Sequence, residues 1–374
     1  MIKKIILICI ILRSQALSSQ ELSGYINGMP SVVVQQPGSD TWWQMLVHNR
    51  LNFGWQMTEH LRVDAGIRNR FISGSQDMIN PASISSDPGW AKMSWNWAKN
   101  KSAVGNTALD RLFITYEKGK WKVQAGRQRV NWGQTFVWNA NDLFNTYSFF
   151  DFDYPERPGC DALRATYYHN ATASSELAVS VNHDGKVTAA MMNRWNKKGI
   201  DYQIIVGQQA ETDLVVGGAM TGDFSGLNLR GEMSYFHPVK NCVDTSGIVA
   251  ISVGADYIFS NSLMLQTEIL YNNVGKGRSL MDIYAAPLSA KRMSICEWNL
   301  FVNATYPVAP RLNASLSSMY FVNIQSCYAG ISLDYSLVTN LDFSFIAQYF
   351  STLSNSDREN IQILLAFARL KYSF

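Results

Sequence analysis

Charge is scarce in this chain: 32 basic and 29 acidic residues make up 16% of 374 positions, against about 25% in an ordinary soluble domain. The formal net charge of +3 decides nothing about partners; no nucleic-acid partner is expected. Long hydrophobic runs are missing too. The longest, Ile5 to Leu12, falls well short of the ~18 apolar residues that a membrane-spanning helix needs, which excludes a helical membrane protein. Histidine is rare, with five in the chain, and no Ser, His and Asp set can be assembled from any motif, so no catalytic residue is assigned and no enzyme is expected. The five cysteines lack metal-ligand spacing, and neither metal nor cofactor is expected. Yet 47% of the residues are apolar and 12% aromatic, too many for a disordered chain. Either several soluble domains or one large β-structure with its apolar residues dispersed by alternation remains.

Alternation is what the sequence has. Leu51, Phe53 and Trp55 alternate with Asn52, Gly54 and Gln56, and Leu61, Val63, Ala65 and Ile67 alternate with Arg62, Asp64, Gly66 and Arg68. From Trp42 onward such stretches are separated by two classes of connection in strict turn. Short ones fall at Glu117 to Lys120, His169 to Ser174, Asn196 to Ile200, Asp223 to Gly226, Phe259 to Ser262, Pro307 to Arg311 and Leu337 to Asn340. All the long ones, including Ser73 to Thr107, Asn131 to Gly159 and Asn273 to Lys291, fall in the other class. A sandwich would scatter long loops over both ends, whereas an outer-membrane barrel keeps its periplasmic turns short and lets the external loops grow. The fold expected is therefore an all-β, transmembrane antiparallel barrel of about eighteen strands, with sixteen as the fallback. The first strand lies in Glu21 to Gln36, where Pro30 must bend it or leave it at an edge.

The ends agree with export. Lys3 and Lys4, the apolar run and the small polar residues up to Gln20 have the three regions of a secretory signal peptide, so residues 1–20 are expected to be removed and 21–374 to form the barrel. The last strand alternates Leu364, Ala366, Ala368, Leu370, Tyr372 and Phe374 with polar residues, and its closing aromatic resembles the C-terminal signature of Gram-negative outer-membrane barrels. Cys160, Cys242, Cys296 and Cys327 map to external ends, where disulfides are permitted but connectivity is not readable.

Barrels of this size enclose a water channel unless something fills it. The candidate filler is the loop Asn131 to Gly159, with nine aromatics from Trp132 to Tyr154 that need a dry surface; the barrel's inner wall, a docked partner or a sugar ligand could supply one. The candidate pore-lining and constriction residues are Arg68, Arg70, Arg111, Arg127, Arg129, Arg164 and Arg230, with Trp138, Phe149, Asp151, Asp153, Glu156 and Arg157 from the loop. Glu117, Glu176, Asp201, Asp256, Asp334 and Asp342 are expected near the periplasmic rim. Such a layout would focus anions from outside; equally, the arginines pair with Asp151, Asp153, Glu156 and Asp161 and merely hold the loop. Calcium ligation by Asp151, Asp153 and Glu156 lacks a complete loop spacing. Arg164 and Arg230, taken as mid-strand, are expected to face the interior, and Leu229 and Met233 to face lipid.

The segments Gly126-Arg-Gln, Trp132-Gly-Gln-Thr-Phe-Val-Trp-Asn, Asn141-Asp-Leu-Phe-Asn and Phe149-Phe-Asp-Phe-Asp-Tyr-Pro-Glu-Arg-Pro-Gly resemble a porin-like outer-membrane family of Bacteroidota type and, more distantly, alginate-export channels. The resemblance covers about forty residues and implies a porin-type channel in the outer membrane; it brings neither a substrate nor a catalytic residue. The function expected of such a channel is passive diffusion of small hydrophilic solutes, anions or saccharides among them. Two other readings stand beside it: a plugged barrel serving a surface complex, with Trp90, Trp95 and Trp97 gripping a partner, and an outer-membrane hydrolase. Oligomeric state is not readable.

Overall fold

Period-two alternation becomes strand because each strand here satisfies its backbone groups on both sides. The computed structural model describes residues 20–36, 40–75, 84, 86–145, 149–150, 154–240, 246–276, 289–352 and 362–374. The chain opens with β1 (Gln20–Gln36), β2 (Asp40–Thr58) and β3 (Leu61–Gly74), then a short β4 (Ser94–Lys99), β5 (Ala103–Lys118) and β6 (Trp121–Gln128). After a long connection come β7 (Cys160–Asn170), β8 (Ala173–Val181), β9 (Val187–Lys197), β10 (Ile200–Gln209), β11 (Asp213–Phe224) and β12 (Leu227–Pro238). The series ends with β13 (Ile248–Ile258), β14 (Met264–Lys276), β15 (Cys296–Ala309), β16 (Leu312–Phe321), β17 (Ser326–Val338), β18 (Leu341–Thr352) and β19 (Gln362–Ser373).

All pairings are antiparallel between sequence neighbours, except that β3 pairs β5 across β4, and β1 pairs β19. Eighteen strands therefore close a barrel without an edge, and β4 is an extra strand laid on β5. Closure is completed by reciprocal bonds, Gly24 N to Phe374 O and Phe374 N to Gly24 O, both 2.9 Å.

Pro30 sits differently from expectation. It lies inside a strand paired on both sides: its partner on β2 is Met45, while the ladder to β19 skips Met29 and Pro30. The missing N–H is absorbed as a local gap in one ladder, not as an edge.

One face of the wall is apolar and bare. Along β12, Leu229, Met233 and Tyr235 are exposed while Glu232, Ser234 and Phe236 are buried; along β14, Ile269 is exposed while Glu268 and Leu270 are buried. Leu214, Val216, Val253, Val302, Leu316, Phe345, Leu364 and Leu370 continue that outward band. Water would not tolerate so large a contiguous apolar surface; a bilayer requires it. Aromatics edge the band at the short-turn end, as Trp121 with Tyr167 and Trp195 with Tyr202, and at the other end, as Tyr271 with Trp298 and Trp97 stacked on Phe71. Amphipathic rings sit there because one edge meets headgroups and the other hydrocarbon. Trp90, Trp95 and Trp97 are all exposed.

The cysteines Cys160, Cys296 and Cys327 stand at the long-loop ends of β7, β15 and β17 as free thiols. Cys242 and residues 1–19 lie outside the described residues.

Candidate functional site

In the connection from β6 to β7, the described residues 129–145, 149–150 and 154–159 turn to the buried face of the wall, and wall carboxylates hold their backbone. Glu268 on β14 accepts the backbone N–H groups of Phe136, Val137 and Trp138 at 2.8–2.9 Å, and the Ser252 hydroxyl at 2.7 Å. Glu232 on β12 accepts from the N–H groups of Gln134 at 2.8 Å and Asn141 at 3.4 Å. Glu176 on β8 accepts from the Trp132 indole at 2.5 Å, and Gln203 on β10 donates to the Trp132 carbonyl. A carboxyl that receives several N–H groups in a buried place answers for loop donors that have no sheet partner.

The residues that carried the family resemblance brace the loop against itself and the wall. Asn141 donates to Gly218 O and accepts from the Ser234 hydroxyl. Asn145 accepts from Val130 N and donates to Pro158 O, tying the loop's two ends together. The aromatics pack onto the wall: Trp138 on Phe301, Phe149 on Phe301 and Tyr328, and Phe150 on Tyr328 and Phe350, with centroid distances of 5.1–6.4 Å. Tyr147 and Phe152, like Asp151 and Asp153, lie outside the described residues.

On the opposite wall the returning limb enters a charged network. Tyr154 donates to Asp110, which also takes Arg50, and Arg68 lies 3.6 Å over the Tyr154 ring while donating to His48. Glu156 accepts from Tyr25 at 2.9 Å, with Arg50 Nε 3.9 Å away. Arg111 donates to the carbonyls of Glu156 and Arg157. Arg157 takes a left-handed φ of 58°, uncommon for a residue with a Cβ, which here accompanies the loop's two successive carbonyl bonds to Arg111. Arg70 donates to Ile84 O and Asn106.

Asp142 is fully buried in the loop, where burial pushes its carboxyl up to about 7 against the opposing pull of Arg129, Arg157 and the backbone N–H groups of Asn145 and Trp132. The docked loop thus holds a proton that the undocked carboxyl, at its ordinary 3.8, releases. Docking is most favourable below about pH 4 and weakens as the pH rises to about 7, with no further loss above that. Asp142→Asn is expected to abolish this slope, read as hydrogen-exchange protection of the loop between pH 4 and 8; an unchanged slope would remove Asp142 as its cause.

Several sequence expectations are corrected by these contacts. Arg127 was placed in the pore, but the register pairs it with Leu112 and Asp161, and Leu112 is exposed on the outward face. There Arg127 is clamped by Asp161 at 2.7 Å and Asp87 at 2.8 Å, and donates to Ala91 O. It fastens the segment that precedes β4 to the wall, not the lumen. Glu176 lies four positions into β8, close to a short turn as expected, but it is buried and paired with Arg164 at 2.6 Å. Arg164 and Arg230 are each neutralised by a wall carboxylate, Arg230 by Asp256 at 2.6 Å. Arg230 also stacks 4.0 Å from the Phe136 ring, and it lies only four positions into β12, nearer the turn than mid-strand. Among the pairs recorded, the arginines hold the fold more than they present free charge. The loop tethers Glu232 and Glu268 carried no motif; the available signal was the one acid on the inward register of each strand.

No family model matches the sequence, and no curated protein matches it. Solved structures do match the fold. OccAB3 of Acinetobacter baumannii superposes with a TM-score of 0.60 at 8% identity, covering 96% of this chain and 100% of that one. For OccK8 (OprE) of Pseudomonas aeruginosa the values are 0.59, 10%, 96% and 99%, and for OpdQ of the same organism 0.56, 7%, 95% and 98%. These neighbours are outer-membrane porins. The architecture is that of a closed antiparallel eighteen-strand barrel, the fold these structures share, and its outward apolar band suits a bilayer. At such identities the likeness is one of fold.

Proposed function

We propose that the protein is an outer-membrane channel for passive diffusion of small hydrophilic solutes, with residues 129–159 as its constriction. The observation that carries this reading is a long loop docked on the inner wall by Glu176, Glu232 and Glu268: an eighteen-strand lumen is wide, and an inward loop held from several strands narrows it. The resemblance of the loop motifs to porin-like proteins of Bacteroidota type supports the same reading. Export completes it, with the mature chain starting near Gln20, a cut that mass spectrometry of the purified protein's N-terminus would locate. In planar bilayers the folded protein should give discrete current steps, and replacing Phe149 to Tyr154 by a Gly/Ser segment should enlarge them. A folded barrel that stays silent in both forms would favour a plugged barrel with a structural role.

A further inference from the structure

Between the docked loop and the tops of β8 to β11 lies a cavity of about 440 Å³ at the long-loop end of the barrel, within the size range of small-molecule sites. Its lining includes Phe144, Ser180, Asn182, Gln209, Asp213 and Lys291. Many of their polar atoms are unspent. Gln209 uses its amide nitrogen on Leu143 O, and its oxygen has no partner among the described residues. Asn182 spends its oxygen on the N–H groups of Asp184 and Lys186 and leaves its amide nitrogen over. The Ser180 hydroxyl has no partner among the described residues, and Lys291 gives one of its three donors to Asp213 at 2.7 Å. None of these atoms is sealed in the protein interior without a partner; they are open to the cavity.

The charge is balanced as well. Asp213 and Lys291 neutralise each other, so a charged solute gains little there, whereas a molecule with many hydroxyls can donate to the Gln209 oxygen and accept from the Asn182 amide and the Lys291 ammonium at once. Phe144, held edge-on by Trp132 at 5.0 Å, adds an apolar surface for C–H groups. We infer that this cavity is a binding site for a neutral saccharide arriving from the long-loop side, a reading that rests on the channel function and names its solute class.

Maltose added to full-length protein in planar bilayers should interrupt the current. Lys291→Met should weaken the binding about tenfold, the loss expected for one charge-assisted hydrogen bond. Ser180→Phe, which fills the cavity while no named loop tether involves Ser180, should abolish the interruptions. Inorganic phosphate should not compete. Titration calorimetry of the detergent-solubilised barrel with maltose separates the two readings: heat from a silent barrel would retain the site and sink the channel. A conducting barrel with neither heat nor interruption would overturn the site alone, as would maltose events that survive Ser180→Phe or are displaced by phosphate.

Discussion

Glu268→Ala is expected to raise single-channel conductance and current noise while the barrel itself stays folded. The carboxylate collects three loop N–H groups and one wall hydroxyl. Without it three buried donors lose their acceptor, at a cost of about 1–3 kcal/mol each, and the loop's lowest-energy response is to move into water. The strand ladders do not use this side chain, so resistance to SDS before heating should persist. Glu268→Gln keeps one of the two acceptor oxygens, and should fall between. Wild-type conductance and noise in a folded Glu268→Ala barrel would mean that the loop is held by its aromatics alone.

Met233→Arg should impair assembly by about 2–4 kcal/mol, the cost of a cation on the lipid face at the bilayer midplane. Met233 is exposed and lies midway along β12. Leu229 is also outward but sits three positions into the strand, so Leu229→Arg should cost only about 0–1 kcal/mol, as near an interface. Arg230→Leu differs in kind. It leaves Asp256 without its cation and Phe136 without its stacking partner, and should loosen the loop more than the barrel. Urea unfolding in lipid vesicles reads all three, and equal values for Met233→Arg and Leu229→Arg would show that depth is not what decides them.

How far the sequence reached can be judged from particular residues. The alternation Leu364 to Phe374 was readable because a strand exposes its two faces by parity alone, and the last strand indeed pairs β1 with its apolar residues outward. The turn positions were readable because short and long connections alternate. Arg127 was misread because parity continues along β6 while the role changes: near its top end, what covers the outward face is a segment of the preceding loop, carrying Asp87 and Ala91. Arg127 and Asp87 are forty positions apart along the chain, and no local pattern announces their pairing. Glu232 and Glu268 escaped notice for a related reason, since an inward acid in a barrel is ordinary until its partner is known.

By itself the sequence determined the class of fold, the strand number, the faces and which loop is long and aromatic, because these follow from period-two burial and from connection length. Only the tertiary structure decided which carboxylates hold that loop, which arginines are already neutralised and where a polar cavity remains. Those depend on residues from 12 to 132 positions apart meeting across the wall, where a buried N–H must find an acceptor and the nearest one belongs to another strand.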